Sequence, residues 1–300
     1  MERSKYIDIA KGITICLMVI GHTGIPVLLS NFIFAFHMPL FFIASGWTTN
    51  WDKYSTCTFI YRRFKTLIIP FLIYSLIVQA LKYSIGNGDI VSWLIHGWGG
   101  YALWFIPVLY LSSVLVKVLY TINSRFIILG GAIMAAVGGC LKYYTISLPW
   151  NLSSVPYASF LIIIGSFLFR YNKYIEKPNW WFVIITFLIT GLISYNWRLD
   201  IAWNSILPIV PLTIGALSGT MMMFTASVYI MHKLDFVEKL FVAIGKETYL
   251  IVAFSQIVIM ILGFYTTWNF IIRYTILIIV LICLKIVKDM FNKTIGYKIL

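Results

Sequence analysis

The stretch NFIFAFHMPLFFIASGW at residues 31–47 decides the fold class of this chain. It follows closely on a second apolar stretch, YIDIAKGITICLMVIGH at residues 6–22. A cleavable signal peptide would end at a small-residue cleavage site, whereas here one apolar run leads into the next. Runs of this length are typical of membrane-spanning helices. The two stretches therefore predict consecutive helices of an integral membrane protein.

The composition extends this prediction to the whole chain. Of the 300 residues, 61% are hydrophobic and only 11% are charged, whereas soluble proteins have about 25% charged residues. Apolar runs recur with no soluble domain or repeat between them, so we predict one membrane domain over residues 1–300. We expect an all-α, polytopic protein with about ten transmembrane helices. These are predicted at residues 7–22, 31–49, 60–84, 101–121, 125–143, 153–170, 179–196, 203–231, 241–264 and 269–288.

Two stretches carry further structural signals. The eighth predicted helix is overlong, and its Pro208 and Pro211 predict a kink. In the same helix, Gly215 and Gly219 predict close packing against a neighbouring helix. The longest connection expected on the outer side, at residues 86–100, is rich in glycine and tryptophan.

The basic residues lie mostly between the apolar segments, on one side of the predicted membrane. Placing the N-terminus in the cytoplasm puts most of the 23 lysines and arginines inside, as the positive-inside rule requires. We therefore expect cytoplasmic N- and C-termini and contacts with membrane lipids. The net charge of +13 is interpreted as topology rather than as nucleic-acid binding. The four cysteines show neither a metal-binding nor a disulfide pattern.

Three ionisable side chains lie in the first predicted helix: Asp8, Lys11 and His22. Lys11 and His22 are eleven positions apart, which places them within about 20° of each other on one helix face and roughly 16 Å apart along its axis. Asp8 stands three residues before Lys11 and is predicted to pair with it. Because ionisable groups inside a bilayer are costly, this face indicates a functional site.

Two further clusters extend that face. His37 in the second helix is expected at the depth of the first histidine, in the outer half of the membrane. The cytoplasmic start of the third helix, YRRFKTLIIP, contains Arg62, Arg63 and Lys65. Alone, these cations are typical of topology or of lipid head groups. Together with the lysine and the histidines, they also fit coenzyme A, whose phosphates suit guanidinium groups and whose arm would carry a thioester inward.

These stretches resemble the acyltransferase-3 family of integral membrane O-acyltransferases, most closely its members that O-acetylate bacterial surface sugars. The resemblance rests on the basic residue and histidine of the first helix, the HMPLFF motif at residues 37–42, the arginine pair, and Trp104 with Phe105. It implies an enzyme of the bacterial plasma membrane that modifies cell-envelope polysaccharide. The acetyl group would move from cytoplasmic acetyl-CoA to a hydroxyl of a surface or lipid-linked glycan, without a metal ion.

The resemblance also implies roles for individual residues. His22 is the candidate general base, since imidazole has an ordinary pKa of about 6.5. His37 would orient it or donate a hydrogen bond to the thioester oxygen. Cofactor contacts are assigned to Lys11, Arg62, Arg63 and Lys65, and substrate contacts to Asp8, Trp98, Trp104, Glu247 and Ser255. The tryptophans have an alternative interpretation as an interfacial aromatic belt.

The chain departs from the family pattern at two places. Many members have an aspartate where this chain has Ser153 or Ser154, and a late histidine where it has Ser255. A substitute for that histidine would come from Ser255, Gln256 or Glu247.

Two other functions stay open at this point. A transporter or flippase of lipid-linked glycans would also place ionisable groups in helices, but it predicts internal repeats and discontinuous helices. A non-catalytic membrane relative that binds acyl-CoA is suggested by the missing late histidine. The acceptor sugar and the oligomeric state are left open by the sequence.

Overall fold

The computed structural model describes residues 5–84, 86, 88–97, 101–177, 179–265 and 270–295. These residues form helices and short connections without a named β-strand, which confirms the all-α prediction. The helices are α1 (Lys5–Gly21), α2 (Val27–Thr48), α3 (Thr56–Arg63), α4 (Ile69–Ser84), α5 (Ile90–His96), α6 (Phe105–Asn123), α7 (Ile127–Tyr143), α8 (Val155–Leu168), α9 (Asn172–Ile175), α10 (Trp180–Asn196), α11 (Ile209–Lys233), α12 (Asp235–Lys246), α13 (Thr248–Tyr265) and α14 (Phe270–Ile295).

Within the described ranges, five helical stretches are long and apolar enough to cross a bilayer. A sixth is added if α12 and α13, which meet at an angle of 79°, count as one broken span. This is fewer than the ten helices predicted to span. One reason is that α1 and α10 have only 17 residues each, which corresponds to about 26 Å of helix.

Helix α2 lies at the centre of the molecule and contacts α1, α8, α10 and α11. Its residues from Ile33 to Trp47 are all buried. Glycines allow the neighbours to approach closely, since a β-carbon on Gly46 would overlap the carbonyl group of Ile162 in α8. Gly219 of α11 packs against α2 in the same way, whereas Gly215 faces α10. The predicted close packing through this glycine pair is thus confirmed, against two different helices.

The kink predicted inside the eighth helix is wrong. Helix α11 begins at Ile209 rather than near residue 203, with Pro208 directly before it and Pro211 in its first turn. Backbone N–H groups in the first turn have no partner within the helix, so proline fits there without breaking a hydrogen bond. The prolines therefore mark the start of the helix.

The helix predicted at residues 241–264 is broken at Glu247, between α12 and α13. Helix α12 lies across α1, where the two backbones touch through Gly12 and Gly245. A β-carbon on Gly245 would overlap the carbonyl group of Asp8. This close contact holds α12 against α1, while α13 leaves in another direction.

The connection at residues 86–100 is partly helical in its described residues. Asp89 caps α5 by accepting a hydrogen bond of 2.8 Å from the backbone N–H of Ser92. Gly97 ends the helix in the left-handed conformation, with φ of 67°. An N-cap aspartate and a C-terminal glycine are the sequence signals for such a helix.

The two ends of the bundle differ in charge. One end, called here the basic end, carries the start of α1, the α2–α3 connection and helices α9 and α12. Its contacts include an ion pair of 3.0 Å between Lys5 and Glu238 and a hydrogen bond of 2.6 Å from Lys117 Nζ to the Trp51 carbonyl oxygen. The other end, called the distal end, carries His22 and the connection between α10 and α11.

Candidate functional site

Three cavities surround α2 and the residues predicted from the sequence. The histidine cavity has a volume of about 320 Å³ and is lined by His22, His37, Tyr101, Trp104, Arg198, Asp200, Trp203 and Gln256, among others. The middle cavity, of about 180 Å³, is lined by Lys11, Ser45, Thr48, Arg63, Leu67 and Tyr249, among others. The arginine cavity, of about 370 Å³, is lined by Asn50, Lys53, Tyr54, Arg62, Arg63 and Thr66, among others.

The two predicted catalytic histidines meet in the histidine cavity. Their ring centroids are 6.0 Å apart, and the ring of Phe34 packs against both, at 5.2 Å from His22 and 4.7 Å from His37. His22 lies just after the end of α1, and its side chain is exposed. His37 is a residue of α2, and its side chain is buried. Helices α1 and α2 are joined by a short turn, and this brings the two side chains to the same level.

Each histidine is held by a backbone carbonyl group four residues earlier. Nδ1 of His22 is 2.8 Å from the Met18 oxygen, and Nδ1 of His37 is 3.0 Å from the Ile33 oxygen. Because a carbonyl oxygen can only accept, Nδ1 must donate in both contacts. In the neutral imidazole, Nε2 then carries the lone pair and is the atom able to take up a proton.

The structure separates the three possible substitutes for the late histidine. Gln256 lines the histidine cavity, with its amide nitrogen 3.9 Å from the Met18 sulfur. Ser255 is fully buried, and Glu247 forms an ion pair with Lys288 of α14. Neither lines any of the three cavities.

The remaining residues predicted to contact the substrate do not lie together in one cavity. Trp104 is buried in the wall of the histidine cavity. Trp98 lies outside the described residues. Asp8 is buried beneath α12 and lines none of the three cavities. Its pairing with Lys11 stays a prediction.

Arg63 connects two of the cavities. Its side chain lines both the arginine cavity and the middle cavity, and Nη2 donates a hydrogen bond of 2.8 Å to the Thr49 hydroxyl. Arg62 points instead to the open side of the arginine cavity, with its guanidinium 4.6 Å from the Tyr54 ring centroid. Lys53 belongs to this group too, whereas Lys65 lines none of the three cavities.

The arginines precede an irregular turn. Residues Phe64–Ile68 form a π-helical turn between α3 and α4. Such a turn leaves carbonyl groups free for other partners, and the Leu67 carbonyl oxygen accepts a hydrogen bond of 2.7 Å from the Tyr249 hydroxyl. This bond ties α13 to the wall of the middle cavity. The buried Ser45 hydroxyl also lines this cavity, and it has no hydrogen-bond partner among the described residues.

Sequence reasoning did not identify Arg198 and Asp200 as site residues. Both lie in the connection between α10 and α11, residues 197–206, here called the distal loop. Its residues 198–203 line the histidine cavity. The available signal was the cluster NWRLDIAWN, in which two charges stand between two tryptophans at the end of an apolar helix.

Hydrogen bonds within the distal loop and from two side chains outside it hold the loop in place. Asp200 and Ser205 exchange two backbone hydrogen bonds, of 3.1 and 2.8 Å. Ser154 donates a bond of 2.6 Å to the Ile201 carbonyl oxygen, and the Asn151 amide donates one of 2.6 Å to the Ala202 oxygen. Ser154 is one of the two serines that stand where many relatives have an aspartate. Its role here is to position the loop.

The two charges of the distal loop face the cavity in different ways. The guanidinium of Arg198 lies 3.8 Å from the centroid of Phe34, and Nη1 is 3.3 Å from the Ser30 hydroxyl and 3.4 Å from the Asn31 side-chain oxygen. Burial raises the pKa of the Asp200 carboxyl group, although Arg198, hydrogen bonds from the loop backbone and His22 oppose that rise. Among the described residues that line it, the cavity therefore holds one guanidinium and one carboxylate beside the histidines.

Comparison with known proteins gives one match. A family model described as an acyltransferase domain, of the acyltransferase-3 type, matches residues 4–289. The match covers nearly the whole chain, including all three cavities. Searches of curated proteins and of solved structures found no match.

Proposed function

The chain belongs to the acyltransferase-3 family, and on that premise we propose that it transfers an acetyl group from acetyl-CoA to a hydroxyl of a surface or lipid-linked glycan. As a multi-pass membrane protein, it would lie in the bacterial plasma membrane with its N-terminus and basic end in the cytoplasm. Acetyl-CoA would then enter from the cytoplasm, and the acceptor would bind at the distal end.

One observation supports this proposal above the others: the three cavities follow one another along α2 and the α2–α3 connection, and two of them also lie along α1. Arg63 and Thr48 line both the arginine cavity and the middle cavity. Lys11 lines the middle cavity, and His22, eleven residues later in the chain, lines the histidine cavity. That spacing corresponds to roughly 16 Å of helix, a length suited to the extended arm of coenzyme A.

The donor would bind by its charge at one end and by its thioester at the other. Arg62, Arg63 and Lys53 supply cations for the phosphate groups. The arm carries amide groups, which need hydrogen-bond partners in a buried passage. The Ser45 hydroxyl is one such group in the wall of the middle cavity, since it is buried and bonds to none of the residues that the structure describes.

The chemistry follows from the tautomers of the two histidines. Nε2 of His22 would take the proton from the acceptor hydroxyl as its oxygen attacks the thioester carbonyl carbon. The carbon–sulfur bond then breaks, and the same proton passes to the departing thiolate of coenzyme A. Donation from His22 Nδ1 to the Met18 oxygen holds the ring for both transfers.

His37 fits one of its two predicted roles better than the other. With Nδ1 donating to the Ile33 oxygen, its Nε2 has no proton in the neutral ring. It therefore serves as a hydrogen-bond acceptor, which can orient His22 once Nε2 of His22 has taken up the proton. A donor for the oxyanion would come from the Gln256 amide, which lines the same cavity.

A glycan transporter is the second candidate, and one observation favours it. Discontinuous helices are typical of transporters, and the α12–α13 pair is bent by 79°. Against this, α12 is held on α1 by glycine contacts that leave little room for movement. The break also lies beside the middle cavity, where Thr248 and Tyr249 line the proposed donor path.

The test is a transfer assay with purified protein in sealed proteoliposomes, radiolabelled acetyl-CoA and a lipid-linked glycan. Acyl transfer predicts label in the glycan and its loss in His22→Ala. The matched control is His96→Ala, since His96 is exposed on α5 and lines none of the three cavities. Movement of the glycan across the bilayer without label transfer would support the transporter, and acetyl-CoA binding without turnover would support a non-catalytic relative.

A further inference from the structure

The distal loop contains groups that donor binding and proton transfer do not use. Arg198 and Asp200 line the histidine cavity near the start of α2, whereas the arginine cavity lies at the other end of that helix. Neither contacts the middle cavity or the arginine cavity. They therefore face whatever enters the histidine cavity from the distal end.

The loop is built to keep these side chains in place. The Asp200–Ser205 backbone pair closes it, and the Ser154 and Asn151 side chains fasten its Ile201–Trp203 turn to the turn before α8. Asn204 adds a bond of 3.3 Å from its amide to the Gly138 carbonyl oxygen. A half-buried carboxylate held this firmly costs folding free energy, which is tolerated where the group has a binding role.

The charges at the cavity define the kind of ligand. Asp200 supplies acceptors, and Arg198 supplies N–H donors in a fixed plane. Since the two formal charges cancel, the pair gives no net attraction to a ligand of either charge. A neutral ligand with several hydroxyl groups can donate to the carboxylate and accept from the guanidinium.

The shape of the cavity restricts the ligand further. Its volume of about 320 Å³ lies at the low end of small-molecule sites. Trp203 stands at the rim and is 67% exposed, while Trp104 and Tyr101 form the inner wall. Aromatic rings of this kind stack on the apolar face of a sugar ring while their polar edges reach water.

We propose that the distal loop recognises the acceptor, and that Asp200 and Arg198 bind two neighbouring hydroxyl groups of a neutral, terminal sugar. Trp203 lies against that sugar ring and covers it from outside. The hydroxyl that attacks is one next to this pair, within reach of His22. This inference rests on the proposed function for the identity of the acceptor, but binding of the sugar is a separate property of the loop.

Binding is therefore tested without turnover, by saturation-transfer NMR with methyl glucoside, its single-deoxy analogues and methyl glucuronide as probes. The wild-type protein should bind methyl glucoside, bind at least one deoxy analogue about tenfold or more weakly, and bind the acidic glucuronide weakly. Equal binding of all the probes, or none of methyl glucoside, would overturn the proposal.

Two variants test whether the distal loop binds methyl glucoside. Asp200→Asn should weaken methyl glucoside binding about tenfold while acetyl-CoA binding is retained. Asp89→Asn is the matched control, because it removes a carboxylate at the cap of α5, where asparagine caps equally well. Unchanged sugar binding in Asp200→Asn contradicts the proposal. If sugar binding falls as expected but no variant or wild type transfers label, the proposed function fails and the loop assignment stands.

Discussion

The arginine cavity and the histidine cavity are assembled in opposite ways. The arginine cavity is formed by neighbours in the chain, since residues 48–66 supply the side chains that line it. The histidine cavity combines α1, α2, the 3₁₀ turn Tyr101–Trp104 before α6, α13 and the distal loop. The first is a local basic cluster, which lipid or a nucleotide phosphate can occupy. The second exists only when distant segments pack together, and such a site places a few groups with the accuracy that chemistry requires.

This difference has a consequence for what each cavity can do. Its local cations make the arginine cavity a docking site, where losing one contact weakens binding without abolishing the reaction. In the histidine cavity, His22 has a defined tautomer and a defined neighbour. A change there should affect turnover more than binding. The four predictions below test that division, from the largest expected effect to the smallest.

The first prediction places the two cavities on opposite sides of the membrane. In a variant whose native cysteines are replaced by serine, Lys173→Cys should be labelled only from the cytoplasm and Tyr144→Cys only from outside. The reason is the excess of lysine and arginine at the basic end. The measurement is labelling of intact cells with a membrane-impermeant maleimide, which should modify Tyr144→Cys and leave Lys173→Cys unmodified. Outside labelling of Lys173→Cys would reverse the proposed direction of transfer.

The second prediction concerns turnover in the histidine cavity. His22→Ala removes the proposed proton acceptor, so kcat should fall about 10²–10⁴-fold while the Kd for acetyl-CoA stays the same. The measurements are single-turnover kinetics and calorimetry, with His96→Ala as the control of equal chemistry outside the cavities. Full turnover in folded His22→Ala protein would make His37 the leading candidate.

The third prediction concerns binding at the arginine cavity. A charge-assisted hydrogen bond contributes about 1.5–3 kcal/mol, and the exposed Arg62 should contribute less than the half-buried Arg63. Arg62→Ala with Arg63→Ala should therefore raise the Kd for acetyl-CoA by about tenfold or more. The effect should shrink at high salt, because its partners are phosphates. Arg125→Ala is the control, since Arg125 is exposed and lines none of the three cavities. An unchanged Kd in the double variant would leave the cluster with a topological role only.

The fourth prediction is a small effect on stability. Burial raises the pKa of Asp200 in the folded protein, so the folded state binds this proton more readily than the unfolded state does. The ionised group therefore costs stability at neutral pH, and the cost disappears as the pH falls through the raised pKa toward that of an unfolded aspartate. Asp200→Asn should have an equal or higher Tm at pH 7, and the difference should shrink toward pH 4.

That measurement uses tryptophan fluorescence, and it separates binding from scaffolding. A residue whose role is structural lowers the Tm when it is removed. A marked loss of Tm in Asp200→Asn at pH 7 would assign the carboxylate to the scaffold of the distal loop. We expect instead that the Asp200→Asn variant is stable and binds the sugar more weakly.

Several elements followed from local sequence because their causes are local. Apolar runs predicted the helices, and Lys11 with His22 could be placed on one face because helical periodicity is the same everywhere. The proximity of His22 and His37 followed from a short turn between α1 and α2. The family, indicated by the motifs of the first third of the chain, was confirmed over residues 4–289.

Other features depended on contacts between distant segments. The break at Glu247 is set by Gly12 and Gly245 meeting across two helices, and no local pattern distinguishes those glycines from others. Gln256 rather than Ser255 lines the histidine cavity because of the way α13 is rotated against α1. A shift of one residue along the helix would turn a different side chain toward the cavity.

The sequence by itself determined that this is a helical membrane protein, with a basic cluster, a lysine and two histidines in a fixed order along its first three helices. Hydrophobicity, charge and helical periodicity are local properties, so they can be recognised in the sequence without knowing the fold. Only the tertiary structure decided that Arg198 and Asp200 share a cavity with His22. They are about 180 residues away from it in the chain, and the hydrogen bonds of Ser154 and Asn151 that hold them there form only after the helices have packed.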